Sequence, residues 1–241
     1  MELPPLAMLP EDWERALAVV AHPDDLEYGA ASAIARWSAQ GKHVSYLLVT
    51  RGEAGIDAMR PEEVAPLREA EERAGARLVG VQTVEFLDYQ DGIVEYGLPL
   101  RQDLARAIRQ QRPDILITLS HRLTWANQAL NMADHRWVAL ALLDAARDAG
   151  NRWIFPSLLT EGLAPWSGVR LVCLNGSSAP THAVDVTDYL DHGIASLSAH
   201  HTYLAHLATP MDPEVFLRPQ ALATGQRCGC QYAVSFAVIT L

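Results

Sequence analysis

The sequence is short of the features that mark a secreted, membrane-embedded or polyanion-binding chain. Only three of its 241 residues are cysteine, Cys173, Cys228 and Cys230, an odd and sparse set that cannot form the paired framework of a small extracellular domain. Free thiols are expected, because no second cysteine pair or close histidine pair follows Cys228-Gly229-Cys230 to complete a structural zinc site. No apolar run approaches the roughly 20 residues that a membrane span needs. Met1–Arg15 holds three prolines and several acidic residues where a signal peptide carries a basic start and an apolar stretch. The cytoplasm is therefore the expected compartment. Basic residues are in deficit too: 19 Lys and Arg against 29 Asp and Glu give a formal net charge of −10. A nucleic-acid backbone or an anionic membrane meets net repulsion from such a chain, and a neutral or cationic small molecule is the fitting partner. Repeats, low-complexity tracts and linkers are missing as well, so one domain over residues 1–241 is expected. Whether it forms a homo-oligomer is left open.

What is present is an ordinary globular composition, 49% apolar and 20% charged. The apolar run at 16–21 stops abruptly at His-Pro-Asp-Asp, as a buried parallel strand does at its carboxyl end. Helices are predicted over 27–40, 61–80, 100–111 and 134–149, ended by Gly41, Gly80 or Gly150 in three cases. Strands are predicted over 44–50, 83–87 and 115–119, with 121–133 as a long loop of the kind that tends to be functional. The remainder reads as strands near 169–174 and 181–186, a helix from 188 to about 208 and a closing strand near 232–239. Alternation of β and α over the first 150 residues implies an α/β fold, Rossmann-like, with a mostly parallel sheet and helices on both faces. Ligands of such folds bind beyond the carboxyl ends of the strands.

Two segments bring metal-ligand residue types to that edge: His22-Pro23-Asp24-Asp25 after the first strand and Asp134-His135 after the 115–119 strand. A turn lets His22 and Asp25 converge while Asp24 stays uncoordinated, and His135 supplies a third donor from far along the chain. Two histidines and a carboxylate leave a coordination position open for water, as catalytic zinc sites require. The competing account makes Asp24 or Asp25 a helix cap, Asp134 the cap of the next helix, and His22 a core histidine. Two adjacent carboxylates after a buried strand are costly to hold together without a cation. Spacing alone leaves both accounts open.

The segment AHPDDLEYGAASAIARW resembles the signature of the LmbE-like family, also called the PIG-L family, of zinc-dependent N-acetylglucosaminyl de-N-acetylases. LLVTRGEAG, LREAEERAGARLVGV, FLDYQDG and ADHRWV extend the resemblance over about residues 15–150, and LSAHHTYLAHL is similar to the family's late helix. The C-terminal third otherwise diverges. By this resemblance His22, Asp25 and His135 match the metal ligands, Asp24 the general base, and Arg68 and Asp91 positions that contact the sugar. Glu53 lies at the same edge, as a loop stabiliser or a substrate contact. Arg68 paired on its helix with Glu71 or Glu72, and Asp91-Gly92 as plain turn residues, are the structural alternatives.

The implied activity is hydrolysis of an N-acetyl group on an amino-sugar-type small molecule, with one divalent metal, zinc by resemblance; two histidines and a carboxylate suit other divalent ions also. One departure stands out. The family often has His-x-Asp-His where this chain has Met132-Ala133-Asp134-His135, and a thioether cannot donate a hydrogen bond to an oxyanion. His121, Asn127 and Asn131 are the candidates to replace that donor. Three rivals follow: an amidase of the same family acting on a larger N-acyl substrate, a weakly active or non-catalytic binder, and a non-haem iron oxygenase. The last uses the same ligand set, usually on an all-β barrel.

Overall fold

The computed structural model describes residues 4–241, so Met1, Glu2 and Leu3 of the N-terminal segment lie outside the described residues. The elements run β1 (Ala7–Met8), β2 (Arg15–Val20), α1 (Ala31–Ala39), β3 (His43–Leu48), α2 (Pro61–Leu78), β4 (Thr83–Phe86), α3 (Leu98–Gln111), β5 (Ile115–Leu119) and α4 (Ala133–Asp148). There follow α5 (Ser157–Thr160), β6 (Leu171–Asn175), β7 (His182–Asp185), α6 (Leu190–Ser198), α7 (His201–Ala205), α8 (Pro213–Gln226) and β8 (Ala233–Thr240). All eight strands join one sheet in the order β1-β7-β8-β6-β5-β2-β3-β4. Only β8 runs antiparallel, to both β6 and β7. The expected α/β architecture with a mostly parallel sheet is the observed one.

β2 sits in the middle of the parallel run, paired with β3 on one side and β5 on the other. It is therefore buried on both faces, and its residues divide strictly by parity. Ala16, Ala18 and Val20 enter the core beneath α1 and α2, while Leu17, Val19 and Ala21 enter the core beneath α3 and α4. The chain leaves β2 toward β3 on one side and leaves β5 toward β6 on the other. The gap between β2 and β5 is thus the point where strand order reverses, and a crevice opens there at the carboxyl ends.

Three local differences from the sequence expectation have physical causes. The first helix begins at Ala31 rather than 27, because Leu26 O collects the amides of Gly29, Ala30 and Ala31 in a tight turn. The helix expected over 188–208 breaks between Ser198 and His201, where His200 turns inward and is fully buried. α8 gave no clear sequence signal, since Pro219 lies inside it and interior proline normally opposes a helix. Its start is nonetheless well specified: Asp212 Oδ1 accepts the amides of Glu214 and Val215 at 2.9 and 3.2 Å, and Pro213 occupies the first turn. No helix of the described residues is long and apolar enough to cross a membrane.

Candidate active site

Beyond the end of β2 the chain turns through His22, Pro23, Asp24 and Asp25. Asp25 is fixed first: its Oδ2 accepts the amides of Ala21 and His22 at 3.0 and 2.9 Å. That leaves Oδ1, which lies 3.0 Å from His135 Nε2 in the first turn of α4. His22 Nδ1 is 3.2 Å from the same His135 nitrogen. One atom each from His22, Asp25 and His135, all buried, thus falls within 4.8 Å of the others. Donors about 2.0–2.1 Å from a tetrahedral zinc stand about 3.3 Å apart, so the spacing fits a small divalent cation.

The two rings are oriented from behind, as metal-binding imidazoles are. His22 Nε2–H is shared between Asp91 Oδ1 at 3.0 Å and Asp134 Oδ2 at 3.3 Å, which turns the Nδ1 lone pair toward His135. His135 Nδ1–H donates to Asn131 Oδ1 at 3.0 Å, and the Asn131 amide donates in turn to Ser120 O and Arg122 O at 2.7 and 3.0 Å. Burial opposes charge on His22, yet Asp25, Asp134 and Asp91 outweigh it and raise its pKa well above the ordinary imidazole value. Burial likewise opposes ionisation of Asp25, but His135 and His22 hold its carboxyl far below the usual range. A field that draws a proton so strongly draws a metal cation as well.

Asp24 stands apart from this group and is held differently. Its backbone is left-handed, φ 88°. Asp24 Oδ1 pairs with Arg68 Nη2 at 3.1 Å, and its amide donates to Glu72 Oε2 at 3.0 Å. Oδ2 is buried and has no hydrogen-bond partner among the described residues. Burial pushes the carboxyl up to about 7, with Arg68 opposing and Asp25 reinforcing the rise.

Arg68 and Glu72 are one turn apart on α2, so a single helix grips both the side chain and the backbone of Asp24. Arg68 is 2% exposed, which removes its reading as an exposed helix residue. It also donates to Pro23 O and Gly52 O and lies 3.9 Å from the centroid of the Tyr203 ring. Gly52, with φ 64°, leaves the space: a Cβ there would stand 2.4 Å from Arg68 Nη1. Asp91 Oδ2 accepts the Ala54 amide at 2.9 Å, and Glu53 accepts the amides of Asp91 and Arg51 at 2.9 and 3.2 Å. Arg68, Asp91 and Glu53 thus all lie at that edge of the sheet, engaged with neighbouring protein groups, and Glu53 braces the loop.

The second-motif loop sorts its candidate donors. Asn131 is buried and committed to His135. Asn127 is exposed and accepts the Ala129 amide. His121, just past β5, is half-buried, and its Nδ1 is buried with no partner among the described residues. Met132 is 52% exposed at the N-cap of α4. Asp134 is no cap: besides His22 it accepts the amides of Gly92 and Val94 at 2.7 and 3.2 Å, tying the loop after β4 to the site.

The family model of PIG-L, described as GlcNAc-PI de-N-acetylase, matches residues 17–146. The chain belongs to the PIG-L family. Membership places it among the N-deacetylase hydrolases, and the matched span carries every residue of the three-donor group together with Asp24, Arg68 and Glu72. A diacetylchitobiose deacetylase of Thermococcus kodakarensis is 28% identical over 224 residues, 92% of this chain and 82% of that one. A 1D-myo-inositol 2-acetamido-2-deoxy-alpha-D-glucopyranoside deacetylase of Thermobispora bispora is 30% identical over 211 residues, 74% of this chain and 69% of that one. The solved N,N′-diacetylchitobiose deacetylase of Pyrococcus horikoshii superposes with a TM-score of 0.85 at 26% identity, covering 95% of this chain and 85% of that one. The likeness to PIG-L relatives therefore runs through the C-terminal third, where sequence motifs alone were faint.

Glu27, His200 and Tyr203 also enter the site; they lie inside the family-like segments AHPDDLEYGAASAIARW and LSAHHTYLAHL, neither of which gives them a role from sequence. Glu27, Glu72 and His200 form a second buried group directly beneath Asp24, with donor atoms within 4.8 Å of one another. The available signal was the sharing of one segment by Glu27 and His22-Asp25.

Proposed function

We propose that this PIG-L chain hydrolyses the N-acetyl group of a small amino-sugar substrate, with His22, Asp25 and His135 holding a divalent metal, zinc by preference, and Asp24 acting as general base. The observation that carries the reading is the asymmetry of Asp24. One oxygen is paired with Arg68, the other is buried and without a partner among the described residues, and the carboxyl lies within the electrostatic reach of Asp25, His22 and His135. A cation bound by those donors supplies an acidified water and polarises an acyl carbonyl.

The chain's own residues do the rest. Asp24 Oδ2 takes a proton from the attacking water as the O–C bond forms, and returns it to the amine nitrogen as the C–N bond breaks. A carboxyl whose pKa lies near neutrality is suited to both transfers. Arg68 keeps the other oxygen occupied, so the proton travels on one side only. Asp91 and Glu53 keep His22 and the loop over residues 51–54 in place, and substrate contact falls to atoms these residues leave free. His121 is the proposed donor to the developing oxyanion. The N-acetyl amino-sugar class is supported by the named substrates of the relatives.

The test is metal content together with acetate release from N-acetylglucosamine and N,N′-diacetylchitobiose. About one divalent ion per chain and turnover of at least one substrate are expected. Asp24→Asn should keep the ion and lose roughly 10²- to 10⁴-fold in kcat, the range of a general base. A folded sample that binds no divalent ion sinks the reading, and so does parental turnover by Asp24→Asn.

A further inference from the structure

Glu72 is 1% exposed, as is Glu27, and His200 is fully buried. Glu72 Oε2 lies 3.7 Å and Glu27 Oε2 4.0 Å from His200 Nε2, and the Ser196 hydroxyl donates to Glu27 Oε1 at 3.1 Å. No cationic side chain hydrogen-bonds either carboxyl among the described residues, and Glu27 Oε2, Glu72 Oε1 and the Tyr46 hydroxyl have no partner there. Such a group is a poor choice for stability, since apolar side chains of the same volume in that place serve folding as well or better. That cost is to be set against what the group does for the residues it touches.

The side chains of the group meet the active site at the bond from the Asp24 amide to Glu72 Oε2, and the Glu27 amide donates to Asp24 O. Asp24 needs that bond more than an ordinary residue does. It is a non-glycine residue in the left-handed region, a conformation that persists only when its surroundings over-determine it. Its amide is buried in a turn whose carbonyls serve other groups: Asp24 O accepts from Glu27 and Tyr28, and Pro23 O accepts from Arg68. Gly75, on the same helix, lets the α6–α7 junction approach closely; a Cβ there would stand 3.0 Å from Ser196 O and 3.4 Å from His200 Nε2. The junction is thereby seated over Glu72 and excludes water from it.

We propose that Glu72 is a positioning residue for the reaction: by accepting the Asp24 amide it fixes the left-handed turn that presents Asp24 Oδ2 to the reacting water. His200 packs 3.7 Å from Glu72 Oε2, and the α6–α7 junction that carries it closes over Glu72 by way of Gly75. The inference rests on the reading of Asp24 as general base, and the experiment separates the two.

Glu72→Met removes the acceptor at nearly constant length, Glu72→Gln keeps one, and each is made in the parent and in Asp24→Asn. Turnover is followed on whichever of N-acetylglucosamine and N,N′-diacetylchitobiose reacts faster, alongside metal content and amide hydrogen exchange over residues 21–28. Glu72→Met should lose about 10²-fold in kcat, the scale of a small misplacement of a reacting group, with KM and bound metal unchanged. Glu72→Gln should recover most of that rate. In Asp24→Asn the further loss from Glu72→Met should vanish, and exchange over 21–28 should quicken in Glu72→Met alone. Should Glu72→Met fail to fold, Glu72→Asp, which draws the acceptor back by one methylene, gives the same comparison. Parental kcat and exchange in Glu72→Met overturn the proposal; so do a loss that appears in KM or metal content, or one that persists undiminished in Asp24→Asn. Full activity of Asp24→Asn overturns the general-base reading instead, and the exchange data then judge Glu72 by themselves.

Discussion

When both rings are neutral, His22 Nδ1 and His135 Nε2 face each other at 3.2 Å as two lone pairs, because each ring's single N–H is committed elsewhere. His22 gives its proton to Asp91 and Asp134, and His135 gives its own to Asn131. Two opposed lone pairs with Asp25 Oδ1 beside them are stable only around a cation, either a proton or a metal ion. Metal binding at neutral pH consequently displaces a proton.

His22→Ala and His135→Ala should therefore each abolish stoichiometric metal binding, since two remaining donors hold zinc poorly. Elemental analysis after dialysis reads this directly. In the parent, loading the metal-free protein in weak buffer should release protons. Full metal occupancy in either alanine variant would remove that residue from the ligand set.

Asn131 tests the orienting layer. It makes no hydrogen bond to the other two donors among the described residues, yet its amide locks His135 between β5 and α4 by accepting from Nδ1 and donating to Ser120 O and Arg122 O. Asn131→Ala should weaken metal affinity about 10- to 100-fold, the usual effect of deleting a group behind a ligand. Competition against a chelator measures it. An affinity equal to the parent's means that His135 needs no orienting partner.

The parts of this site that could be read from sequence are those whose chemistry is local. His22-Pro23-Asp24-Asp25 follows the apolar run 16–21, and Asp134-His135 opens a periodic helix, so topology alone carries both to one edge of the sheet. The layer behind them is tertiary. Arg68 reads as a sugar contact by resemblance or as an exposed helical residue by spacing, until α2 is seen lying across the Asp24 turn. Glu72 is one of a pair of glutamates, and only the fold distinguishes it from Glu71, which instead accepts the Thr202 amide at 2.7 Å. His200 lies in the family-like segment LSAHHTYLAHL, but its burial is not legible there, because the helix breaks at that residue and a break made by inward burial has no glycine or proline to mark it. Pro219 misleads in the other direction, since α8 tolerates it.

Gly52→Ala should be destabilising out of proportion to one methyl group. Alanine at φ 64° is strained, by about 1–3 kcal/mol for a residue held in so sparsely populated a region. The added Cβ would also meet Arg68 Nη1 at 2.4 Å and Cζ at 2.8 Å. Arg68 cannot retreat easily, being buried and stacked on Tyr203. Denaturant unfolding should show the loss, with kcat falling alongside as Arg68 shifts away from Asp24. Stability and turnover equal to the parent's would show that the loop re-forms without disturbing Arg68.

At Met132 the side chain at the helix start is an exposed thioether, where the family resemblance leads one to expect a histidine. An oxyanion developing beside the three donors needs a hydrogen-bond donor. Of the candidates in this loop, Asn131 is consumed and Asn127 is turned to solvent, which leaves His121. Its ring is half-buried with a free Nδ1, and burial, aided by Arg122, lowers its pKa and favours the neutral ring. A neutral imidazole still carries one N–H to offer. His121→Ala should thus lower kcat about 10²- to 10³-fold, the effect of deleting one oxyanion donor, while metal content and unfolding midpoint stay at the parent's values. Met132→His should raise activity or leave it unchanged, because it restores a donor without taking one away. If His121→Ala turns over at the parent's rate while Met132→His rescues a nearly inactive parent, His121 is no substitute donor. The chain would then be a PIG-L member that keeps its metal ligands and has lost most of its chemistry.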